Sequence, residues 1–195
     1  MKFATSQQFV LASASPRRKE LLSMLGIPFD IVTSNVEETS AHAETVQDYV
    51  REVALLKTRD VAGKCPGKTI IGADTIVVHG DRLLHKPTSH QEAVAHLQTL
   101  TNDRHHVLTA VAIITPDGRE MTFVEQTAVI FKDVPDALIE AYVKTGDPFD
   151  KAGGYGIQTS GALLVDRIEG DYNNVVGLPI ATLVEQLLTS QLIEI

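Results

Sequence analysis

Cationic side chains are concentrated at the start of a predicted helix. The apolar residues 9–12 are followed by Ser13-Ala14-Ser15-Pro16-Arg17-Arg18-Lys19. Ser15 is typical of an N-cap residue and Pro16 of the first helical position, so a strand is expected to lead through this turn into a helix. Because a helix N-terminus carries a partial positive charge, each cation there is unfavourable by about 0.3–1 kcal/mol. An anion bound by backbone N–H groups and guanidinium groups would reverse that cost, and phosphate is the obvious candidate.

Two further charged residues fall inside apolar patterns. Asp74 interrupts the apolar run 70–78, and Lys57 lies on the apolar face of the helical pattern 46–62. A buried carboxylate needs hydrogen-bond donors, a cation or a metal, or a place at a strand end facing a cleft. The alternative for Asp74 is an aspartate in a turn or cap. The alternative for Lys57 is a side chain that extends from the apolar face into solvent.

Other polar segments carry weaker signals. Glu37 and Glu38 follow a predicted strand, where carboxylates can bind Mg²⁺ that bridges phosphates, although a solvated loop pair has the same pattern. Lys86 is expected to be a loop lysine. Residues 150–158 contain three glycines, which permit close backbone approach to a ligand, but they match neither a Walker loop nor a dinucleotide fingerprint. Residues 173–179 are predicted to form a loop before the last helix. This loop would either provide a second contact to the anion or be a simple structural turn.

Strand and helix patterns alternate along the chain and predict an α/β fold with a mixed sheet. Helices are predicted at residues 16–25, 46–62, 89–100, 135–144 and 179–190. Strands are predicted at residues 9–12, 29–33, 69–73, 75–78, 82–84, 107–114, 121–131 and 163–168. The early alternation favours parallel pairs, and the turns at 80–81 and 115–118 favour antiparallel ones.

Composition restricts the classes of function. The 195 residues, 44% of them hydrophobic, suit one domain over residues 1–195, with two lobes as an option. A net charge of −8 disfavours binding to nucleic acid or to an anionic membrane. The single cysteine, Cys65, suits a reducing compartment, and no apolar run approaches the roughly 18 residues of a membrane span, so we expect a cytoplasmic protein. The seven histidines have no ligand spacing and no serine-nucleophile motif is present, so neither a zinc site nor a covalent serine mechanism is expected.

Taken together, these segments resemble the Maf family of nucleoside triphosphate pyrophosphatases over about residues 8–188. The resemblance rests on the order of Ser13-Ala14-Ser15-Pro16-Arg17-Arg18, Glu37-Glu38, Lys57, Gly72-Ala73-Asp74-Thr75, Lys86-Pro87, Asp150-Lys151-Ala152-Gly153-Gly154-Tyr155-Gly156-Ile157-Gln158 and Val175-Val176-Gly177-Leu178-Pro179. It implies hydrolysis between the α and β phosphates with a divalent cation, Mg²⁺ or Mn²⁺. It also implies an elongated α/β fold with two lobes around a cleft, similar to inosine triphosphate pyrophosphatases.

The resemblance is greatest to the family branch that acts on dTTP and UTP, and it implies a role for each matching residue. Asp74 would be the general base and, with Glu38, a metal ligand. The triphosphate would be bound by Arg17, Arg18, Lys57 and Lys86, at a turn that includes Ser13 and Ser15. Base preference would depend on Arg18, Thr75 and Gln158.

Two alternatives remain open at this stage. One is the sister branch that acts on 7-methyl-GTP, although it typically lacks the Tyr155-Gly156-Ile157-Gln158 ending found here. The other is a nucleotide-sensing regulator of cell division, because the family is associated with septum formation. The expected partner is the nucleotide, with CTP and modified pyrimidine nucleotides as further substrates, and a homodimer is left open.

Overall fold

The computed structural model describes residues 3–36 and 43–195. The described strands are β1 (Phe9–Leu11), β2 (Phe29–Ile31), β3 (Thr69–His79), β4 (Arg82–Leu84), β5 (Arg104–Ile114), β6 (Glu120–Phe131) and β7 (Val165–Glu169). The described helices are α1 (Pro16–Ser23), α2 (Val46–Lys64), α3 (His90–Leu100), α4 (Asp136–Val143), α5 (Tyr172–Val176) and α6 (Ile180–Thr189). Short 3-10 turns at Asp147–Asp150, Ala152–Gly154 and Ser160–Leu164 lie between α4 and β7.

These strands form one mixed sheet in the order β2-β1-β3-β5-β6-β7, with β4 paired to β3. Strand β1 is parallel to both β2 and β3, whereas β4 and β7 pair antiparallel to β3 and β6. The residues of β1 are all buried, as expected for a strand with parallel neighbours on both sides. The predicted α/β fold with a mixed sheet is therefore confirmed.

The chain divides into two compact units, in agreement with the two expected lobes. The first comprises the described residues up to Asp74 together with Thr109–Glu125 and Gly177–Ile195, and the second comprises Thr75–Leu108 and Gln126–Val176. Each unit has its own apolar cluster. In the first unit Val10 and Ile70 pack with Val61 of α2, and in the second Leu97 packs with Phe131.

The ends of α1 and α2 follow from local sequence. Ser15 caps α1 with Pro16 at its first turn, as predicted, and Thr45 caps α2 by accepting a hydrogen bond from the Asp48 N–H at 3.1 Å. Helix α1 ends at Ser23, two residues before the predicted end, and two turn residues connect it to Gly26 at a φ of 67°. Of the helices formed by residues 3–36 and 43–195, none combines the length and the apolar character needed to cross a membrane.

The prediction of a loop over 173–179 is wrong for residues 173–176. Residues Tyr172–Val176 form the short helix α5, and Asn174 within it is fully buried. The Asn174 side chain donates to the Val107 carbonyl at 3.0 Å and to the Thr127 hydroxyl at 2.9 Å. These tertiary hydrogen bonds stabilise a helix that two adjacent asparagines do not favour locally.

Candidate active site

The turn between β1 and α1 is organised around the buried Ser13. The Ser13 hydroxyl oxygen accepts hydrogen bonds from the Ser15 N–H at 3.2 Å and from Arg18 Nη1 at 3.3 Å. Ser15 Oγ accepts from the Arg18 N–H at 3.4 Å, as an N-cap hydroxyl does. The two serines predicted to belong to the site therefore shape the turn and hold the first residues of α1.

Arg18 is held by contacts from two segments of the first unit. Its Nε donates to the Gly177 carbonyl oxygen at 2.8 Å, in addition to the contact of Nη1 with Ser13. Arg17 precedes it in the first turn of α1 and is half-buried, and no acidic residue lies in that turn. Both arginines that the sequence places at this helix end therefore lie in the first turn of α1 in the folded first unit.

Asp74 and Lys57 form an ion pair in the same unit. Lys57 Nζ lies 2.7 Å from Asp74 Oδ1, and the side chains are only 18% and 10% exposed. Asp74 occupies the interior of the continuous strand β3, so it is neither a turn nor a capping aspartate. Because Lys57 points to this carboxylate, the interpretation of Lys57 as a lysine extended into solvent is also wrong.

Strand register brings the pair towards the Ser13 turn. Leu11 of β1 pairs with Ile71 of β3, and the Ala12 N–H donates to the Ile71 carbonyl at 2.8 Å. Ser13 lies two residues beyond Leu11, and Asp74 three residues beyond Ile71. Since the two strands are parallel, both residues extend from the same end of this paired region. The Ser13 turn and Asp74 thus follow the paired residues of β1 and β3 at the same end, within the first unit.

A close helix–strand approach positions Lys57. A Cβ atom added to Gly72 would lie 2.0 Å from Thr58 Oγ1, so only glycine fits where α2 crosses β3. Thr58 is fully buried and its hydroxyl donates to the Ala54 carbonyl at 2.6 Å. The neighbouring Lys57 is thereby held within reach of Asp74, two residues beyond Gly72.

The remaining predicted site residues described by the structure lie in the second unit. Thr75 is half-buried in β3, and Lys86 is exposed after β4. Gln158 is exposed in a turn at 157–159. The Gly153 N–H donates to the carbonyl oxygen of His85 at 3.2 Å, which ties the glycine-rich segment to the residue before Lys86.

The predicted acidic pair Glu37 and Glu38 lies outside the described residues. Within residues 3–36 and 43–195, no three His, Cys, Asp or Glu side chains are grouped as a metal site. Of the two predicted metal ligands, Glu38 and Asp74, only Asp74 therefore lies among the residues that the structure describes. A Mg²⁺ ion is typically held by one or two carboxylates together with substrate phosphates, so Asp74 suits such a site without a full cage of protein ligands.

Comparison with known proteins decides the family. The family model described as Maf-like protein matches residues 8–190. The chain belongs to the Maf family. The resemblance inferred from the motifs is therefore confirmed, over nearly the same range of residues.

Relatives of this Maf protein are similar along their whole length. The dTTP/UTP pyrophosphatase of Geobacillus sp. (strain WCH70) is 46% identical over 181 residues, which cover 93% of this chain and 97% of that protein. The dTTP/UTP pyrophosphatase of Bacillus cereus (strain AH820) is also 46% identical, with coverage of 93% and 94%. Among solved structures, the Staphylococcus aureus Ham1 protein matches with a TM-score of 0.55 and 16% identity, over 95% of this chain and 100% of that one. This last similarity concerns the fold alone.

A polar network around the glycine-rich segment of the Maf protein was not foreseen from sequence. Asp147 accepts hydrogen bonds from Tyr142, Lys151 and Thr159, and Tyr142 in turn accepts from the Gly156 N–H. Its members are spread over 18 residues with no fixed spacing. The one available signal was the clustering of charges at Asp147, Asp150 and Lys151 beside the glycines.

His105 and Tyr155 form a second buried polar contact in the same unit. His105 Nε2 lies 2.7 Å from the Tyr155 hydroxyl, and both rings meet Phe131 edge to face. Burial lowers the pKa of His105 from 6.5 to about 3, with a smaller contribution in the same direction from His79 and His106. Burial likewise raises the pKa of Tyr155 above its usual range. Both groups are therefore neutral in the folded protein, which is consistent with a structural role.

The burial of His105 predicts that the stability of the fold depends on pH. The unfolded chain protonates His105 below pH 6.5 whereas the folded chain does so only near pH 3, so its contribution to stability is complete above pH 6.5 and is lost as pH falls. We expect the wild type to lose about 2 kcal/mol more unfolding free energy than His105→Gln between pH 7 and pH 5. Urea unfolding of both proteins at several pH values measures the difference. Parallel pH profiles of the two proteins would contradict the prediction.

Proposed function

We propose that this Maf protein hydrolyses dTTP and UTP to the nucleoside monophosphate and pyrophosphate. The observation that carries the proposal is the ion pair of Lys57 and Asp74, held by strand register towards the Ser13–Arg18 turn. An acid–base group beside a cationic helix start suits hydrolysis of a phosphoanhydride. The choice of nucleotide is supported by the names of relatives that are 46% identical over 93% of the chain.

In the proposed reaction Asp74 acts as the general base. A water molecule forms a new P–O bond while the bond between the α and β phosphates breaks. Asp74 accepts the proton of that water, and Lys57 orients the carboxylate through its contact with Oδ1. Catalysis then consists mainly of positioning the water and neutralising charge, as is general for phosphoryl transfer.

The cationic groups would bind the triphosphate. Arg17 and Arg18 lie at the start of α1, where the helix dipole also favours an anion. Arg18 is already oriented by Ser13 and Gly177, so it loses little freedom when it binds a phosphate. Lys57 and Lys86 would stabilise the charge that develops on the departing pyrophosphate.

Further residues are assigned to metal binding and to recognition of the nucleotide base. Glu38 and Asp74, with substrate phosphates, would hold Mg²⁺ or Mn²⁺, and the cation would neutralise phosphate charge. Gln158 would recognise the edge of uracil or thymine, since an amide both donates and accepts hydrogen bonds, and Thr75 would help shape the base pocket. Residues 1–195 would work as one domain in the cytoplasm, on canonical or modified pyrimidine nucleotides, with a homodimer left open.

A substrate comparison tests this function. The protein is incubated with dTTP, UTP, GTP and 7-methyl-GTP, and phosphate is measured before and after addition of inorganic pyrophosphatase. We expect phosphate only after that addition, and a kcat/KM for dTTP and UTP at least about 100-fold above that for GTP. Removal of divalent cations with EDTA is expected to abolish turnover, and Mg²⁺ or Mn²⁺ to restore it.

Three results would contradict the proposal in different ways. Phosphate released without added pyrophosphatase would indicate cleavage of the terminal phosphate. A preference for 7-methyl-GTP would indicate the sister branch. Nucleotide binding without turnover would favour a nucleotide-sensing regulator.

A further inference from the structure

The turn that carries Gln158 is held on both sides. On one side, the Gly156 N–H donates to the Tyr142 hydroxyl at 3.0 Å. On the other, the Thr159 hydroxyl lies 2.5 Å from Asp147 Oδ2 and 2.9 Å from the Gly156 carbonyl oxygen. The exposed Gln158 side chain therefore projects from a turn whose flanking residues are fixed.

Asp147 links the two sides. Its Oδ2 accepts a hydrogen bond from the Tyr142 hydroxyl at 2.5 Å as well as from Thr159. Its Oδ1 accepts from Lys151 Nζ at 2.9 Å, and Lys151 also bonds the Asp147 carbonyl at 2.7 Å. One carboxylate thus receives donors from α4, from the glycine-rich segment and from the Gln158 turn.

The electrostatics keep this carboxylate charged. Burial alone would raise the pKa of Asp147, but hydrogen bonds from Thr159, Tyr142 and Lys151 together lower it below its usual value. Burial also raises the pKa of Tyr142 above its usual range, so the phenol keeps the proton that it donates. Lys151 is only 8% exposed, and its charge is balanced by Asp147 and Asp150. Hydrogen bonds to such charged groups are stronger than neutral ones.

Packing leaves the turn little space to move. A Cβ atom on Gly156 would lie 2.6 Å from Lys151 Cε and 2.7 Å from Thr159 Oγ1. A Cβ atom on Gly161 would lie 2.6 Å from the Gly156 carbonyl oxygen and 2.9 Å from the Tyr142 hydroxyl. Both glycines are therefore required by close contacts, which together with the hydrogen bonds restrict the movement of residues 156–159.

We propose that Asp147 is a positioning residue for base selection, which fixes the turn that presents Gln158 through its contacts with Tyr142, Lys151 and Thr159. The proposal rests on the proposed function, in which Gln158 recognises the pyrimidine. Asp147 itself does not need to touch the nucleotide. Its effect is to hold an amide in one orientation, and recognition by an amide depends strongly on orientation.

The test compares Asp147→Asn with two other variants. Thr159→Val removes one exposed hydroxyl from the network and leaves the charge of Asp147 in place. Asp150→Asn is the matched control, because it removes a carboxylate charge that pairs with the same Lys151 and leaves the hydrogen bonds of Asp147 with Tyr142 and Thr159 in place. Steady-state kcat and KM are measured for UTP and GTP, and the thermal midpoint of each protein is measured alongside.

We expect Asp147→Asn to raise the KM for UTP by about 10-fold with kcat changed less than about 2-fold. The preference for UTP over GTP should fall by a similar factor, and Thr159→Val should change it in the same direction. Asp150→Asn should keep the wild-type preference. A loss of kcat that is equal for every nucleotide, with KM unchanged, would indicate a purely structural role and overturn the proposal.

Failure of the inference can be told from failure of the proposed function. Suppose that the wild type prefers UTP and that the Asp147→Asn and Thr159→Val proteins are folded and keep this preference. The positioning role of Asp147 is then overturned while the proposed function stands. If the wild type itself has no pyrimidine preference, the proposed function is overturned, and the inference with it.

Discussion

Replacement of Asp74 with asparagine is expected to lower kcat for dTTP and UTP by about 10²–10⁴-fold, the usual contribution of a general base. Asparagine has nearly the same shape but cannot accept a proton from water. Its amide oxygen can still accept a hydrogen bond from Lys57 Nζ, which now lies 2.7 Å from Asp74 Oδ1. The fold is therefore expected to survive. Steady-state release of pyrophosphate measures the effect, and thermal unfolding checks the fold.

Asp81→Asn is the matched control for this variant. Asp81 is an exposed residue in the turn between β3 and β4, so the same chemical change there should leave kcat within about 2-fold of the wild type. Turnover by Asp74→Asn close to the wild-type rate would overturn the assignment of the base. Loss of folded protein would instead show that the ion pair with Lys57 is needed for stability.

Gly72→Ala is expected to cause a large loss of stability in the first unit. The new Cβ would lie 2.0 Å from Thr58 Oγ1 and 3.1 Å from Thr58 Cβ, so α2 would have to move away from β3. Overpacking of this kind costs about 1–3 kcal/mol or more. For a chain of this length, 1–3 kcal/mol corresponds to a fall in Tm of roughly 2–12 °C. Thermal unfolding followed by circular dichroism measures it.

Two further variants make the stability prediction specific. Removal of the hydroxyl in Gly72→Ala/Thr58→Ala should recover part of the lost Tm, because the contact at 2.0 Å disappears while that at 3.1 Å remains. Gly63→Ala is the control within α2, since a Cβ there meets nothing within 4 Å, and it should raise the stability by up to about 1 kcal/mol. A double variant no more stable than Gly72→Ala would contradict the steric explanation.

Displacement of α2 would also affect chemistry. Lys57 precedes Thr58, so a shift of the helix would lengthen the contact between Lys57 Nζ and Asp74 Oδ1. The close approach at Gly72 thus connects packing in the first unit with the geometry of the proposed base. This connection explains why a glycine precedes the aspartate in a strand that is otherwise rich in β-branched residues.

Much of the local structure was predictable. Ser15 and Pro16 start α1 because capping depends on one side chain and its next turn. The sequence also predicted a mixed α/β sheet, since alternating helical and strand periodicity is a local property. The end of α1 and the existence of α5 were predicted wrongly. Helix α5 depends on the buried contacts of Asn174 with Val107 and Thr127, residues at least 47 positions distant.

By itself, the sequence determined the family, the order of the elements and the cationic turn, because each depends on residue types at short or ordered spacing. It left Asp74 and Lys57 with two interpretations each, since an ionisable residue in an apolar pattern is explained only by what it contacts. The tertiary structure decided that the two residues pair, through the close packing of α2 on Gly72, and the parallel register of β1 and β3 places Asp74 at the end that carries the Ser13 turn. It also decided that Asp147 supports the turn of Gln158, because that network joins donors from three separate segments. Contacts of this kind arise only when distant parts of the chain pack together.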